Sequence, residues 1–147
     1  MAKIKVRIIN QSTNPLPEYL TDGAAGMDIR ANLENVLVLK SMERILVPTG
    51  LFIELPQGYE MQIRPRSGLA IKQGITCLNT PGTIDSDYRG ELKVILINLS
   101  QEEQTILHGD RIAQMILHTV EQIKWKSVKK IKATKRNDGG FGHTGKL

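Results

Sequence analysis

The feature that most constrains the fold of this chain is a series of short β-rich runs with almost no helical periodicity. Lys3–Ile9 (KIKVRII) alternates polar and apolar residues, as a half-buried strand does. Glycine, proline, asparagine and aspartate separate the runs that follow. Those runs are VLVLK, RILVP, LFIEL, YEMQIRP, ELKVILIN and RIAQMILHTV. Many short strands with such turns between them predict an all-β sandwich or jelly roll.

Two segments depart from this pattern. Ser67–Gln73 (SGLAIKQ) is the one segment typical of a helix, and Ser67 is placed to act as its N-cap. After about Val128 the apolar alternation is lost, which predicts an arm that leaves the domain. With no internal repeat and no interdomain linker, the 147 residues predict one core domain over residues 1–128 and a C-terminal arm over residues 129–147.

Composition indicates where such a protein works. Only 4% of its residues are aromatic, so its core must consist of Ile, Leu and Val, which favour strands. The single cysteine, Cys77, has apolar neighbours and no disulfide partner in the chain, which predicts a buried thiol in a reducing compartment. The N-terminal segment does not resemble a signal peptide, and no apolar run approaches the ~20 residues of a membrane span. We therefore expect a cytoplasmic protein with no membrane contact.

The net charge of +5 is concentrated in Lys124–Arg136 (KWKSVKKIKATKR). A basic segment of this kind can bind a polynucleotide or hold a small polyphosphate. Trp125 is its single aromatic residue, whereas surfaces that bind single strands interleave several aromatic residues with their cations. Nucleic acid is therefore not the expected partner.

The chain ends in GGFGHTGKL, in which Gly140–Lys146 reads G-x-x-x-x-G-K. A phosphate-binding P-loop needs a buried strand before it, a helix after it and Ser or Thr after the lysine. Leu147 follows Lys146 instead, so we do not expect a P-loop. The segment is then either a disordered glycine-rich end or a different means of holding phosphate.

Two polar clusters sit where strands give way to turns. Asp28 follows a small-residue turn in AAGMDIRA, which is typical of a turn with an Asx hydrogen bond. In PRSGLA, Arg66 and Ser67 lie where a strand becomes a helical turn. Backbone N–H groups, a hydroxyl and a guanidinium converge there, which suits either an anion site or a plain helix cap.

A third cluster lies in Leu78–Val94, where two apolar runs flank a loop and predict a hairpin. A carboxylate in that loop can accept a proton from water, and an aromatic ring can shield a sugar, although such residues are also ordinary in turns. The polar residues of this hairpin are Asn79, Asp85, Asp87, Tyr88 and Arg89.

The fourth cluster is GDRIAQMIL, where Gln114 lies among apolar residues and needs a hydrogen-bonding partner, most simply from protein. The histidines His108, His118 and His143 are too dispersed to predict a metal cage. Taken alone, the residues indicate an all-β intracellular domain in which anion-binding and acidic groups converge.

Five segments together closely resemble the ordered motifs of the trimeric dUTPases and extend from Ala24 to Gly145. They are AAGMDIRA, PRSGLA, GTIDSDYRG, GDRIAQMI and RNDGGFGHTG. The resemblance implies a jelly-roll homotrimer with active sites at its subunit interfaces. It also implies hydrolysis of dUTP to dUMP and pyrophosphate, which limits uracil incorporation into DNA and supplies dUMP for thymidylate synthesis.

The resemblance also assigns roles to residues. Asp85 would orient and deprotonate the water that attacks the α-phosphorus, and Asp28 would act through neighbouring residues. Mg²⁺ would be held by the substrate phosphates and water, without protein ligands, since it prefers hard oxygen ligands. The phosphate-contacting residues would be Arg66, Ser67, Gly68 and Gln114. Uracil would be read by Asn79 and the backbone of Thr83 and Ile84, with Tyr88 under the deoxyribose and Lys93 near the nucleotide.

RNDGGFGHTG would be a mobile arm that closes over a site formed by other subunits. Arg136 would pair with the γ-phosphate and Phe141 would stack on uracil. The remaining contacts of the arm would come from Gly142, His143 and Thr144. His143 stands where the family usually carries serine, so a hydroxyl contact is replaced by an imidazole.

Two alternatives remain. dCTP deaminases share this fold and part of the third motif, but Ile95 stands at about the place of their catalytic glutamate. A dUTP-binding regulatory protein would act through partners and need no turnover. An enzyme is favoured by the retention of all five residues expected at its active site: Asp85, Asn79, Tyr88, Gln114 and Arg136.

Overall fold

The computed structural model describes residues 3–143 and contains ten strands and one short helix. The all-β prediction with a single helical turn region is confirmed. The elements are β1 (Arg7–Asn10), β2 (Met27–Arg30), β3 (Leu37–Leu39), β4 (Arg44–Glu54), β5 (Tyr59–Arg64), α1 (Ser67–Gln73), β6 (Ile75–Cys77), β7 (Gly82–Ile84), β8 (Leu92–Asn98), β9 (Gln104–Ile106) and β10 (Arg111–Thr119).

Two four-stranded sheets enclose the core, in the orders β1-β4-β8-β6 and β2-β10-β5-β7, and β3 pairs with β9 beside them. Burial alternates along the central strands: on β8, Leu92 and Val94 are buried whereas Lys93 between them is exposed. Inward-facing residues of both sheets, such as Val94 and Ile63, belong to one apolar cluster. The result is a β-sandwich built from aliphatic side chains.

Helix α1 has its predicted bounds, but the prediction that Ser67 is the N-cap is wrong. Arg66 occupies the cap with an extended backbone and makes no side-chain capping bond, so Ser67 is the first helical residue. The Arg66 side chain is engaged elsewhere, by Asp28. At the other end Gly74 adopts a left-handed conformation and its N–H bonds back to the last turn, which ends the helix.

The predicted hairpin over Leu78–Val94 is only partly present. Its flanking runs pair as expected, since Cys77 lies opposite Leu96 in the β6–β8 ladder. Between them, however, the chain crosses to the other sheet and forms β7, in which Ile84 lies opposite Met61 of β5. The loop therefore spans both sheets, and its polar residues lie at the two ends of β7.

Cys77 is buried, as predicted, with 3% of its surface exposed. Desolvation by burial raises the pKa of its thiol to about 11. The thiol therefore stays protonated near neutral pH and is a packing group, not a nucleophile.

No described residue from Val120 to His143 lies in a helix or strand. Apolar side chains in this segment are exposed, including Trp125 at 87% and Ile131 at 89%. The described helix is too short to cross a membrane. Because these side chains stay exposed among the described residues, the segment has the character of an arm that leaves the domain.

Candidate active site

One cluster of polar side chains is organised by Asp28 in β2. Its Oδ1 accepts a hydrogen bond from Arg66 Nε at 2.8 Å, and its Oδ2 accepts one from Arg111 at 3.2 Å. Arg66 also donates to the backbone carbonyl of Arg111 at 3.2 Å. One carboxylate thus orients two guanidinium groups, which leaves a net positive charge.

The second sheet explains why these residues meet. Asp28, Gln114 and Arg64 lie opposite one another on β2, β10 and β5 and form one row. The Gln114 amide donates to Pro65 O at 3.0 Å, so it is held within its own chain beside Arg66. A Cβ added to Gly26, the residue before β2, would lie 3.1 Å from Gln114 Oε1, so the backbone at the start of β2 packs closely against that amide.

Ser67 and Gly68 extend this cluster at the first turn of α1, and both are exposed. No atom would lie within 4 Å of a Cβ on Gly68, so the backbone there is open to a ligand. Two guanidiniums, an amide and an exposed hydroxyl converge around one carboxylate. Donors of this kind with excess positive charge suit the oxygens of a phosphate chain.

A second cluster surrounds the turn after β7. The Tyr88 N–H donates to Asp85 O at 3.2 Å, and the Arg89 guanidinium donates to Ser86 O at 2.7 Å, which closes the turn. The Asp85 side chain is exposed and accepts no hydrogen bond from the described residues. It faces a groove of about 790 Å³ that Asp87 and Glu60 also line. A carboxylate placed in this way is free to bind water.

The other residues of this cluster lie along and after β7. Asn79 packs beside Gly82, since a Cβ there would lie 3.2 Å from its amide nitrogen. Thr83 is exposed on β7, and Lys93 is exposed on β8 with its ammonium 3.4 Å from Glu91. The Tyr88 hydroxyl donates to Glu91 O at 3.0 Å while 44% of the residue remains exposed. The exposed part of the ring can contact a ligand.

The two clusters are separated within one chain. Gln114 lies opposite Arg64 and Ile84 lies opposite Met61. Measured along the strands, Asp85 is therefore about 13 Å from the Gln114 row. Measured across the sheet, it is about 10 Å from Gln114 itself, because β7 and β10 are two strand spacings apart. No hydrogen bond or ion pair between described residues joins Asp85 or Tyr88 to Arg66 or Gln114.

The arm forms local turns of its own. Arg136 Nε donates to Gly139 O at 2.8 Å, and the His143 N–H donates to Gly140 O at 3.0 Å. Arg136, Gly142 and His143 line a depression of about 420 Å³ with Lys135. The Phe141 ring is fully exposed. Thr144 lies outside the described residues.

Three residues near these clusters were not singled out from the sequence. Arg111 shares Asp28 with Arg66, Gly26 lies against Gln114, and Gly90 lies under Tyr88. All three fall inside the segments that carry the resemblance, so the sequence indicated that they lie near the site. It did not indicate which residues they contact. Within residues 3–143, no group of three or more His, Cys, Asp or Glu side chains could hold a metal ion.

Comparison with known proteins agrees across family, sequence and fold. The family model described as dUTPase matches residues 12–145. A deoxyuridine 5'-triphosphate nucleotidohydrolase of Fusobacterium nucleatum is 58% identical over 146 residues, covering 99% of this chain and 100% of the relative.

Solved structures show the same fold at low identity. A dUTPase mutant of Staphylococcus bacteriophage 80alpha, solved with dUpNHpp, has a TM-score of 0.87 at 22% identity and covers 97% of this chain and 99% of its own. A mutant dUTPase of phage phi11, described as revealing the coordination of a structural Mg(II) ion, has a TM-score of 0.79 at 20% identity. It covers 88% of this chain and 100% of its own.

Proposed function

The chain belongs to the dUTPase family and is a dUTP diphosphatase, and we propose that each of its active sites draws its two core clusters and an arm from different subunits of a homotrimer. The observation that carries this proposal is the separation of Asp85 from the Gln114 row within one chain. The water that attacks the α-phosphorus must touch both its base and the phosphate. In the trimer, one subunit therefore supplies Asp85 and another supplies the phosphate-binding residues around Gln114.

The Asp28 cluster binds the triphosphate. Arg66 presents a guanidinium whose Nε is already bonded to Asp28, so its remaining donors are held in position for phosphate oxygens. Gln114, Ser67 and Gly68 add neutral donors around the same anion. Arg111, paired to the other oxygen of Asp28, contributes positive charge beside them.

Asp85 is the base in the other half of the site. Its carboxylate orients a water molecule and accepts a proton as the water oxygen forms a bond to the α-phosphorus. The bond from that phosphorus to the bridging oxygen breaks, and pyrophosphate leaves. The donors around Asp28 stabilise the charge that develops on the phosphate oxygens.

We assign Mg²⁺ to the substrate and not to a protein site. The Asp28 cluster carries two guanidinium groups, and both oxygens of its carboxylate are bonded to them, so its charge favours phosphate oxygens over a cation. The phosphates and water can complete the octahedron that Mg²⁺ prefers, and the ion then neutralises charge on the leaving pyrophosphate. The residues present therefore fit a metal that arrives with dUTP.

The residues around β7 recognise the nucleoside. Asn79 and the backbone of Thr83 and Ile84 hydrogen-bond uracil, and the exposed Tyr88 ring packs under the deoxyribose. A ribose 2′-hydroxyl clashes with that ring, which provides discrimination against UTP. Lys93 lies near the nucleotide, and its ammonium is 3.4 Å from Glu91.

The homotrimer has a candidate surface on the first sheet. Leu46 of β4 is 52% exposed and lies opposite Ile95 of β8, so apolar side chains share the outer face. Leu78 and Leu99 are exposed near the same strands. An apolar sheet face is typical of an obligate interface between identical subunits.

The C-terminal arm closes the site of other subunits. Arg136 binds the γ-phosphate, Phe141 stacks on uracil, and Gly142, His143 and Thr144 wrap the phosphates. The exposed Phe141 and Trp125 of the isolated chain support an arm that packs on a neighbour. We place the reaction in the cytoplasm, where Cys77 stays reduced and where dUTP removal limits uracil in DNA and supplies dUMP.

Product analysis tests this function. The purified protein with Mg²⁺ is incubated separately with dUTP, dCTP, dTTP and UTP, and nucleotide, pyrophosphate and ammonia are measured. We expect dUMP and pyrophosphate from dUTP alone. Ammonia from dCTP would indicate a deaminase despite the apolar Ile95 on β8, and no turnover of any nucleotide would indicate a binding protein.

Asp28→Asn is expected to raise the KM for dUTP by about 10- to 100-fold, because a charge-assisted bond to each guanidinium is weakened. The folded protein and its trimeric state should persist. Steady-state kinetics and thermal unfolding are the measurements. Glu54→Gln is the matched control, since Glu54 also pairs with an arginine, Arg7, but at an exposed site away from the cluster. An unchanged KM in Asp28→Asn would remove Asp28 from phosphate binding.

A further inference from the structure

The ring of Tyr88 lies directly over the backbone of Gly90, two residues later. A Cβ atom on Gly90 would be 2.5 Å from Tyr88 Cζ and closer still to the hydroxyl oxygen. Carbon atoms do not approach so closely, so no residue with a side chain fits at position 90 while Tyr88 keeps this position. Gly90 is required here for space, and not for a left-handed backbone, because its φ is not positive.

The hydroxyl fixes the other end of the same ring. Tyr88 donates to the carbonyl of Glu91 at 3.0 Å, so the ring is fixed between its own backbone and residues 90 and 91. Arg89 closes the turn by donating to the carbonyls of Ser86 and Tyr88. These contacts fold the ring back onto the turn while 44% of the residue stays exposed.

We infer that Gly90 is a specificity-determining positioning residue, which places the Tyr88 ring where it can exclude a 2′-hydroxyl. This inference rests on the proposed role of Tyr88 under the deoxyribose. Gly90 itself touches no substrate. It acts through the Tyr88 ring, which can pack against the backbone of residue 90 only because that residue has no side chain. The consequence of filling this space is local, because the atoms displaced are the far end of a side chain that can rotate into solvent.

An added Cβ at Gly139 would lie 2.6 Å from the His143 ring, but both of those residues are in the arm and not in the turn that holds Tyr88. An added Cβ at Gly26 would lie 2.9 Å from Ile116 Cγ1, and one at Gly82 would lie 3.2 Å from the Asn79 amide nitrogen, so neither would displace the ring of Tyr88. At Gly23 an added Cβ meets no atom within 4 Å. Gly23 is exposed and its φ is not positive, so it serves as a matched control.

The test is Gly90→Ala with Gly23→Ala as control. kcat and KM are measured for dUTP and UTP, with thermal unfolding of each variant. We expect the ratio of kcat/KM for dUTP to that for UTP to fall about tenfold or more in Gly90→Ala. KM for UTP should fall because its 2′-hydroxyl no longer meets the ring, and KM for dUTP should rise because the deoxyribose loses its packing. Gly23→Ala should have the same dUTP/UTP ratio and the same thermal unfolding as the unsubstituted protein.

A second pair of variants isolates the route through Tyr88. If Gly90 acts by placing that ring, then adding Gly90→Ala to Tyr88→Ala should change the dUTP/UTP ratio no further. Tyr88→Ala should also restore folding if Gly90→Ala alone proves unstable, because the colliding atoms are then absent. These two results would support the inference.

Three results would overturn it: an unchanged ratio in Gly90→Ala, an equal loss for both nucleotides, or a further loss in the Tyr88→Ala background. Failure of the proposed function is distinguishable, because the unchanged protein would then not release pyrophosphate from dUTP at all. Activity in the unchanged protein with any of those three results would refute only the role of Gly90.

Discussion

Asp85→Asn is expected to lower kcat for dUTP by about 10²- to 10⁴-fold, the usual contribution of a positioned general base. Asparagine keeps the shape of the side chain and can still contact water, but its amide cannot take up the proton. The Asp85 side chain is exposed in an open groove, so the substitution leaves no buried group without a partner. Pyrophosphate release measures turnover, and calorimetric titration with dUTP should show binding largely intact.

Asp87→Asn is the matched control for that variant. Asp87 lines the same groove two residues later, so its substitution changes the local charge by the same amount. We expect it to retain turnover close to that of the unchanged protein. If Asp85→Asn hydrolysed dUTP at the normal rate, Asp85 would not be the base. If both variants lost activity equally, the charge of the groove, and not one carboxylate, would be responsible.

The same variant tests whether a site is shared between subunits. Asp85→Asn and Gln114→Ala are each expected to be nearly inactive, because one lacks the base and the other a phosphate-binding amide. When the two are unfolded together and reassembled, about a quarter of the sites should draw an intact residue 85 from one subunit and an intact residue 114 from another. Recovered activity would support the shared site, and its absence would indicate that a single chain supplies both residues.

Local sequence patterns predicted most of the fold. The alternation and turns predicted the all-β class, and Ser67–Gln73 was predicted with its observed bounds because helix signals act over few residues. Strand β7 was missed because its pairing with β5 is a long-range contact between short segments. The N-cap was misplaced by one residue, because the extended backbone of Arg66 and not the hydroxyl of Ser67 starts the helix, without a side-chain cap.

For the site, the residue types came from the sequence but their grouping did not. The resemblance pointed to Asp28, Arg66 and Gln114, yet only the register of β2, β10 and β5 puts them in neighbouring positions. Arg111 was missed because nothing in its segment reveals a partner 83 residues away. The close contact between the Tyr88 ring and Gly90 could not be predicted either. Glycine is common in turns for reasons of backbone conformation, so its presence does not reveal that a ring packs on it.

Removal of residues 136–147 is expected to leave a folded trimer whose kcat/KM for dUTP is lower by about a hundredfold or more. Described residues beyond β10 form no strand or helix, and their one hydrogen bond to the core joins Val120, which the truncation keeps, to Gly58 in the turn between β4 and β5. The core therefore loses little when the arm is cut. The site loses the Arg136 guanidinium, the Phe141 ring and the cover that excludes water. Thermal unfolding, size-exclusion chromatography and steady-state kinetics measure these outcomes separately.

Charge alone could account for a weaker truncated enzyme, because the arm is strongly basic. Replacing Lys129, Lys130 and Lys132 by Gln removes positive charge from the arm but keeps Arg136 and Phe141. We expect that variant to keep most of its activity and to differ chiefly in the salt dependence of KM, since exposed charges steer an anion over a distance. Full activity after truncation would show that the glycine-rich end does not take part in the reaction. Equal losses in both variants would mean that the arm attracts dUTP by its charge and does not close over it.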